Sequence, residues 1–396
     1  MSLLGASPTL AQEASKAVRA EIGKPLQAAL DLLKQKKAKE ALAKVRETDA
    51  VSDKTPHEAL LVDQVRGQAA AMAGEAVVAG RALEAAAASP AAPAKERLQF
   101  LAAAAGQFYT AKDYAKSAAL AAQYLKDGGS DKALRTLQIQ ALYLANNYAA
   151  AAKELLADIQ ADEQGGKAPG EEHLQLLSSA YLKQQNTAGY ATALEKLVTY
   201  HAKPDYWLAV IHNMAARQGF PDRLALDVSR LKLATATLRT ANEYVEAAQL
   251  SLQTGFPAEA KKFVDAGYAA GLLGSGPDAE RHKRLKDLVA KNLAEDNKTL
   301  GQDDAQLAAA KDGTALVNSG LNYVLHGKSD KGLAMLESGL AKGGMKHPED
   351  ARLRLGYAYY LAGQTQKAIQ MFKKAQDAEG TAALARLWVI RLGQPG

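Results

Sequence analysis

Four glycines of the chain fall on a single 36-residue lattice. Successive members are separated by 36 residues or by twice that interval, and they are Gly219, Gly255, Gly327 and Gly363. Glycine is favoured where a helix ends, because it adopts a positive φ without a steric penalty. Two of these glycines are followed by the dipeptide Phe-Pro, and proline is favoured in the first turn of a helix. The lattice therefore predicts a repeat in which two helices are joined by a glycine turn.

The last repeat, residues 348–380, indicates how the two helices would pack. Small residues recur where the helices would cross, and aromatic residues between them would fill the remaining space. The positions that carry this pattern are Leu355, Gly356, Tyr359, Gly363, Ala368, Phe372 and Ala375. The preceding repeat has the same offsets at Gly320, Tyr323, Gly327, Gly332, Leu336 and Gly339. The pattern predicts two antiparallel helices that share one apolar face.

This arrangement of small and aromatic residues resembles the tetratricopeptide repeat, a helical hairpin of about 34 residues. The resemblance covers the seven positions of the last repeat, whereas Arg352 stands at the family's tryptophan position and Gly380 at its proline position. It implies a right-handed superhelical array in which the first helix of each hairpin lines a concave, peptide-binding surface. It also implies a protein or peptide partner.

The same periodicity extends more weakly towards the start of the chain. Earlier hairpins are expected within residues 25–48, 57–88, 95–125, 131–159 and 171–200, and a further one begins near Asp205. Alanine is abundant and no alternating run of β-branched residues predicts a strand. We therefore expect an all-α superhelical solenoid of about ten hairpins, with one degenerate repeat and a C-terminal capping helix.

The joints between these hairpins suggest a domain organisation. We expect a tetratricopeptide-like array over residues 13–276, followed by a degenerate repeat or helical insert over residues 277–312. Two well-matched repeats follow over residues 313–380, and a capping helix with a tail occupies residues 381–396. The joints near Gly128, Gly166 and Gly276 are rich in glycine or proline but too short to act as flexible linkers.

The N-terminus and the composition bear on the compartment. Residues 1–12, MSLLGASPTLAQ, are interpreted as the remnant of a secretory signal or as a disordered N-terminus. The absence of cysteine excludes disulfides and cysteine-ligated zinc, and it fits an exported bacterial protein. We expect a periplasmic or otherwise exported protein that works in a bacterial envelope assembly, with the cytoplasm as the alternative. No run of about 18 apolar residues predicts a membrane span.

Catalytic and cofactor motifs are not supported by the sequence. The sequence His-Gly-Lys-Ser at residues 326–329 resembles the end of a phosphate-binding loop, but Asn322 stands where that motif requires glycine. No two of the seven histidines lie three or four residues apart, so no helix presents a ready metal-binding pair. The paired acids Glu171-Glu172 and Asp303-Asp304 each open a predicted helix, where acids favour the helix dipole. We expect no enzymatic activity, cofactor, metal or small-molecule substrate.

Two basic stretches keep other functions open. Residues 34–46 contain six basic residues and one glutamate, and residues 281–291 carry five basic residues on a predicted helix. One alternative is therefore a basic-surface binder of nucleic acid or anionic lipid, although no aromatic residues interleave these stretches as stacking platforms. The other alternative is an accessory subunit of an enzyme complex, built on the insert after Gly276. The simplest interpretation of both stretches is a solvated helix face, which disfavours nucleic acid as the partner.

Aligning the hairpins with one another predicts which side chains line the concave surface. They are Gln175, Ser179, Lys183, Tyr206, Asn213, Arg217, Asp350, Tyr357 and Tyr360. Tyrosine and arginine are enriched at interfaces, and asparagine and aspartate supply hydrogen bonds to a peptide backbone or charge. We therefore expect a non-catalytic protein-protein interaction scaffold that holds a peptide segment or partner protein in this groove.

Overall fold

The computed structural model describes residues 18–375 and 380–394, and the regular structure within them is entirely helical. It comprises 21 α-helices and two 3-10 helices, Glu47–Ala50 and Asp222–Leu224. The predicted all-α fold is therefore confirmed for this part of the chain. The predicted signal remnant, residues 1–12, lies outside the described residues.

The helices of the first half are α1 (Ala20–Lys34), α2 (Ala38–Arg46), α3 (Pro56–Ala73), α4 (Ala76–Ala88), α5 (Ala94–Thr110), α6 (Tyr114–Lys126), α7 (Lys132–Leu144), α8 (Tyr148–Gln164), α9 (Glu171–Lys183) and α10 (Thr187–Tyr200). Those of the second half are α11 (Pro204–Ala215), α12 (Ala225–Ala234), α13 (Ala241–Gln253), α14 (Pro257–Ala269), α15 (Ala279–Thr299), α16 (Asp304–Ala309), α17 (Thr314–Leu325), α18 (Ser329–Lys342), α19 (Pro348–Leu361), α20 (Thr365–Lys374) and α21 (Thr381–Gly393).

Consecutive helices form antiparallel pairs joined by short turns. The closest pairings include α3 with α4, α5 with α6, and α17 with α18. The first helices of the predicted hairpins are the odd-numbered helices α1 to α19, the second helices are the even-numbered ones, and α21 is the predicted cap. The expected array of helix pairs is therefore confirmed.

The chain forms two compact units. Unit 1 comprises Met1–Lys167 and Ser179–Asn186, and unit 2 comprises Ala168–Ser178 and Thr187–Gly396. Helix α9 contributes residues to both. The domain divisions expected at residues 276, 312 and 380 remain predictions.

A common backbone turn ends the first helix of many pairs. After α19, the N–H of Gly363 donates to the carbonyl of Tyr360 at 3.0 Å, and the N–H of Gln364 donates to the carbonyl of Tyr359 at 2.9 Å. The same pair of bonds recurs where the residue of positive φ is Lys36, Gly74, Lys112, Asn146, Gln185, Gly255 or Gly327. A non-glycine residue in this conformation costs about 1–2 kcal/mol, so packing of the flanking helices must hold it there.

Unit 1 buries two apolar clusters that are rich in alanine. The first joins α1 to α4 around residues such as Ile22 and Leu42, and the second joins α3 to α7 around Phe108. Alanine at the crossings lets helix backbones approach closely, so that each helix buries a face that it could not bury alone.

Glu58 connects the N-termini of two helices in unit 1. Its carboxylate, which is fully buried, accepts bonds from the side chain of Arg19 at 2.9 Å and from the backbone N–H of Thr55 at 2.9 Å. Arg19 precedes α1, and Thr55 caps α3 in a reciprocal capping box with Glu58. The hydrogen bonds from Arg19, opposed by burial, lower the pKa of Glu58 to about 2.

We predict that this contact gives unit 1 a stability that disappears in acid. Because the pKa of Glu58 falls from 4.5 to about 2 on folding, its contribution is complete above pH 4.5 and is lost towards pH 2. Glu58→Gln should therefore unfold at a lower temperature than the wild type at pH 6. The difference should shrink as the pH falls from 4.5 to about 2. Thermal unfolding followed by circular dichroism measures this. Glu21→Gln, on the exposed face of α1, is the matched control. A difference that does not change with pH would contradict the assignment.

Close approach of two helices defines the α17–α18 pair in unit 2. A Cβ on Gly320 would lie 2.7 Å from the carbonyl oxygen of Gly332, and a Cβ on Gly332 would lie 2.5 Å from that of Gly320. Gly313 and Gly339 meet in the same way at the other end of the pair. The small residues that the sequence predicted at the helix crossing are therefore in place here.

Gly320→Ala should destabilise the protein, because the added methyl group meets backbone atoms that cannot rotate away. We expect a loss of about 1–3 kcal/mol in the free energy of unfolding, measured by denaturant titration. Gly106→Ala in α5 is the matched control, because no atom lies within 4 Å of the new Cβ. That substitution should be neutral or stabilise by up to about 1 kcal/mol. Equal effects of the two substitutions would contradict the close-approach explanation.

The degenerate repeat consists of a 21-residue helix, α15, and a six-residue helix, α16. Helix α15 buries a single stripe, His282, Leu285 and Val289, whereas α16 buries none of its residues. Near the end of α15, Asp296 accepts hydrogen bonds from Asn322 at 3.0 and 3.1 Å and lies 2.6 Å from the imidazole Nε2 of His326. Helix α15 packs against α14 and α13, and these polar contacts connect its end to α17 and to the residue that follows it.

The C-terminal helix α21 covers the last hairpin. Trp388 is buried and stacks on Phe372 at 5.5 Å, with Tyr357 and Tyr360 at 5.7 and 5.0 Å. The expected capping helix is therefore confirmed. It also contacts earlier helices of unit 2, since the side chain of Arg391 donates to the carbonyl of Ala234 at 3.1 Å.

Candidate functional site

The nine side chains predicted to line the groove differ in exposure. In unit 1, Ser179 is half-buried and Lys183 is exposed. In unit 2, the exposed or half-buried ones are Gln175, Tyr206, Asn213, Arg217 and Tyr360, whereas Asp350 and Tyr357 are buried. Seven of the nine therefore retain surface, and two do not.

Successive first helices of unit 1 are connected by side-chain hydrogen bonds. The hydroxyl of Tyr109 on α5 donates to the amide oxygen of Gln140 on α7 at 3.5 Å. The hydroxyls of Tyr143 on α7 and Ser179 on α9 lie 2.7 Å apart. Because α5, α7 and α9 are first helices, these bonds identify the face that they share. Ser179 lies on that face, and its place in a peptide-binding groove stays a prediction.

A four-residue polar cluster marks the corresponding face at the start of unit 2. Tyr206 donates its hydroxyl to Glu171 and accepts a bond from the amide of Gln175. Lys203 donates to both carboxylate oxygens of Glu171, at 2.6 and 2.8 Å. Its hydrogen bond and that of Tyr206 lower the pKa of Glu171, while burial and the bond to Glu171 raise the pKa of Tyr206. Glu171 is thus ionised and Tyr206 neutral at physiological pH.

Asn213 lies about two helical turns after Tyr206 on α11, and Arg217 lies two residues beyond the end of that helix. Asn213 is half-buried and Arg217 is exposed. Neither side chain makes a hydrogen bond or ion pair within residues 18–375 and 380–394. Their donors and acceptors are therefore available to a partner, and Arg217 contributes a positive charge that the cluster around Glu171 does not neutralise.

The prediction that Asp350 faces an open groove is corrected by its environment. Arg223, which is 127 residues away in sequence, donates to its carboxylate through Nε at 2.8 Å. Thr381, at the start of α21, donates to the other carboxylate oxygen at 2.9 Å. These bonds engage both oxygens of a carboxylate that is 7% exposed as a residue. Asp350 thus connects α19 to Arg223 and to the start of α21, and it does not offer a free carboxylate to a ligand.

Tyr357 is corrected in the same way, because it belongs to a buried ionic cluster. Its hydroxyl donates to Glu259 at 3.0 Å, and its ring lies under the guanidinium of Arg230 at 4.9 Å. Arg230 donates to Glu259 at 2.6 and 2.9 Å and to Asp227 at 2.6 Å. Burial alone would lower the pKa of Arg230, but the two carboxylates raise it. Burial, followed by the charge of Glu259, raises the pKa of Tyr357 well above its ordinary value.

This buried cluster was not predicted from the sequence. Asp227 and Arg230 are spaced like an ordinary surface ion pair on α12, and Glu259 stands in the first turn of α14, where acids are common. The available signal was weak. Asp227 follows Leu226 and Arg230 precedes Leu231, so the charged residues adjoin the apolar face of the helix.

Metal binding and membrane insertion find no support in the described part of the chain. No group of three or more His, Cys, Asp or Glu side chains within residues 18–375 and 380–394 could hold a metal ion. Among the same residues, no helix combines the length and the apolar character that crossing a membrane requires.

Comparisons with known proteins give a weak likeness to two solved helical-repeat structures. No family model and no curated protein sequence matches the chain. The tetratricopeptide-repeat domain of P58(IPK) aligns over 94% of this chain and 98% of its own, at 14% identity and a TM-score of 0.24. The Cut9–Hcn1 hetero-tetramer of APC/C aligns over 92% and 83%, at 13% identity and a TM-score of 0.21. TM-scores this low carry no argument about arrangement or function, and the helix pairs of the chain itself define its fold.

Removing the guanidinium of Arg230 should destabilise unit 2 strongly. Arg230→Met would leave two buried carboxylates without a cation, a loss of about 3–5 kcal/mol in the free energy of unfolding. Combining it with Asp227→Asn and Glu259→Gln removes the uncompensated charge and should restore most of that loss. Denaturant unfolding of the two variants and the wild type makes the comparison. The assignment of a charge-compensating cluster would be wrong if the triple variant were less stable than the single one.

Proposed function

We propose that the protein is a non-catalytic scaffold that holds a peptide segment or partner protein on the shared face of its first helices. The observation that carries the proposal is a pair of unengaged side chains, Asn213 on α11 and Arg217 just beyond its end, on the segment that begins with Tyr206 of the polar cluster. Amide, guanidinium and phenol groups that retain surface are suited to hydrogen bonding a peptide backbone. In unit 1 the corresponding residues are Ser179 and Lys183.

The hydrogen bonds that order the cluster also support binding. Side chains held in place before binding lose less conformational entropy when a partner docks. Tyr206 is fixed by two hydrogen-bond partners, and Lys203 is fixed by Glu171. This part of the face is therefore prepared for a ligand, whereas Arg217 is free to adapt to it.

The expected bacterial and exported context belongs to this proposal. It rests on the composition of residues 1–12 and on the absence of cysteine. The partner would then be a component of an envelope assembly. Fractionation of the source cells, with antibodies against the chain, tests the compartment directly: recovery in the periplasmic fraction supports it, and recovery in the cytoplasmic fraction contradicts it.

The alternative that a specific observation favours is a basic-surface binder through α15. Arg281, Lys283, Arg284 and Lys291 are exposed on this helix, and none of them forms an ion pair with another described residue. A straight helix of this length spans about 30 Å, so these charges could contact an extended polyanion. Binding by this surface would weaken steeply with salt.

Two matched double variants distinguish the proposals. Asn213→Ala/Arg217→Ala removes groups from the first-helix face, and Arg281→Ala/Arg284→Ala removes two exposed groups from α15. Affinity capture with each variant and the wild type identifies partners, and titration of each purified partner measures its Kd. We expect the first variant to raise the Kd about tenfold or more, and the second to leave it unchanged. The reverse result would favour the basic surface, and an unchanged Kd for both would contradict both sites.

A further inference from the structure

A small basic pocket lies in unit 2 beside the start of α19. It has a volume of about 260 Å³ and lies between α17, α19 and the segment that precedes α19. Four of its lining side chains carry basic nitrogen, namely Arg223, Lys346, His347 and Arg354, and one, Asp350, is acidic. We call these four residues with Asp350 the basic pocket. Its size is below the usual range for drug-sized ligands and suits a single small charged group.

The carboxylate of the basic pocket is already compensated. Asp350 accepts from Arg223 at 2.8 Å and from Thr381 at 2.9 Å. Lys346 and His347 form no hydrogen bond or ion pair with any residue that the structure describes. The positive charge of Lys346 and of Arg354 therefore exceeds what Asp350 can neutralise.

Arg354 has an unsatisfied donor. One terminal nitrogen donates to the amide oxygen of Asn318 at 2.7 Å, whereas Nε is buried and has no acceptor within residues 18–375 and 380–394. A buried N–H without an acceptor costs about 1–3 kcal/mol, and such groups are rare in folded proteins. Arg354 lines the pocket, so an anion there would lie beside a guanidinium whose hydrogen-bond partner is a neutral amide. The start of α19, which no side chain caps, adds the positive end of a helix dipole nearby.

We propose that the basic pocket binds a compact oxyanion, a carboxylate or a phosphate group. Guanidinium and ammonium groups bind both anions by charge-assisted hydrogen bonds. Only the source of the anion rests on the proposed function. That source would be an acidic side chain or a phosphorylated residue of the peptide segment that unit 2 holds. The pocket thereby defines the class of partner, a peptide with at least one negative group.

Inorganic phosphate is the first probe, and it tests the pocket without any partner. Thermal unfolding of the full chain is measured with increasing phosphate, against sodium chloride of equal ionic strength. At phosphate concentrations about ten times the Kd, we expect the unfolding temperature to rise by about 2–4 °C more than with chloride. No difference between phosphate and chloride would overturn the proposal for phosphate. Acetate, compared with chloride in the same way, tests binding of a carboxylate. If neither phosphate nor acetate raises the unfolding temperature more than chloride does, the proposal is overturned.

Two variants test whether the effect comes from this pocket. Lys346→Ala removes an exposed side chain without hydrogen bonds, so the fold should be kept, and it should reduce the phosphate effect by half or more. Arg354→Gln should abolish the effect. Arg284→Gln, on the exposed face of α15, is the control that removes a positive charge elsewhere and should leave the effect unchanged. Equal responses of Lys346→Ala and the wild type would overturn the assignment.

A peptide arm identifies the source of the anion. Short blocked peptides that differ only in glutamate, phosphoserine or glutamine are titrated against the full chain. Binding of either charged peptide, lost in Lys346→Ala, supports an anionic partner segment. Phosphate binding without peptide binding overturns the peptide source and leaves a free anion. Neither result depends on Asn213 and Arg217, so failure of the pocket and failure of the scaffold proposal remain distinguishable.

Discussion

The charge of Arg230 is the constraint around which unit 2 is organised. The side chain is 2% exposed. A guanidinium so deeply buried is stable only if nearby carboxylates neutralise its charge and its N–H groups are hydrogen-bonded. Asp227 on its own helix and Glu259 on α14 meet them, and Tyr357 on α19 covers the guanidinium and bonds to Glu259. In an ordinary helical array each repeat contacts only its neighbours. The bond between Tyr357 and Glu259 joins residues 98 positions apart, so unit 2 is stabilised by closure as well as by stacking.

Closure changes which side chains of unit 2 remain at its surface. The positions of α19 that the repeat assigns to the inner face make contacts within unit 2. Asp350 and Tyr357 are buried there, and Trp388 of α21 packs against Tyr357 and Tyr360. Near the start of unit 2, Tyr206 of α11 is engaged by Glu171 and Gln175, whereas Asn213 and Arg217 make no side-chain hydrogen bond or ion pair with a described residue. A repeat position therefore has different surroundings along one array. In α19 Tyr357 holds the unit together, whereas Asn213 of α11 keeps a side chain without a hydrogen-bond partner among the described residues.

The helix pairs could be predicted from the sequence, whereas the contact between α19 and α14 that closes unit 2 could not. Helix ends and crossings depend on local rules, such as the positive φ of Gly363 and the close approach of Gly320 to Gly332, and these rules leave a readable period. The period weakens in unit 1 because Lys36, Lys112, Asn146 and Gln185 take the conformation that glycine takes elsewhere. The burial of Asp350 could not be predicted, since its partner Arg223 is 127 residues away and follows no repeat spacing. Whether two distant helices of an array touch depends on the small rotations between successive helices, added over the whole array. No local sequence pattern gives that total rotation.

Three arginines of unit 2 show how charge compensation separates structure from function. Arg230 is buried and has two carboxylate partners. Arg223 is partly exposed and shares the carboxylate of Asp350 with Thr381. Among the described residues, the side chain of Arg354 bonds only to the neutral amide of Asn318. A buried cation gains stability from its protein partners when they neutralise it, and it gains little from any ligand. An arginine whose partner is a neutral amide keeps an uncompensated charge, and a charge-assisted hydrogen bond to an anion would stabilise it. The uneven distribution of acids within unit 2 therefore makes Arg230 a structural residue and makes Arg354 the arginine through which an anion would be recognised.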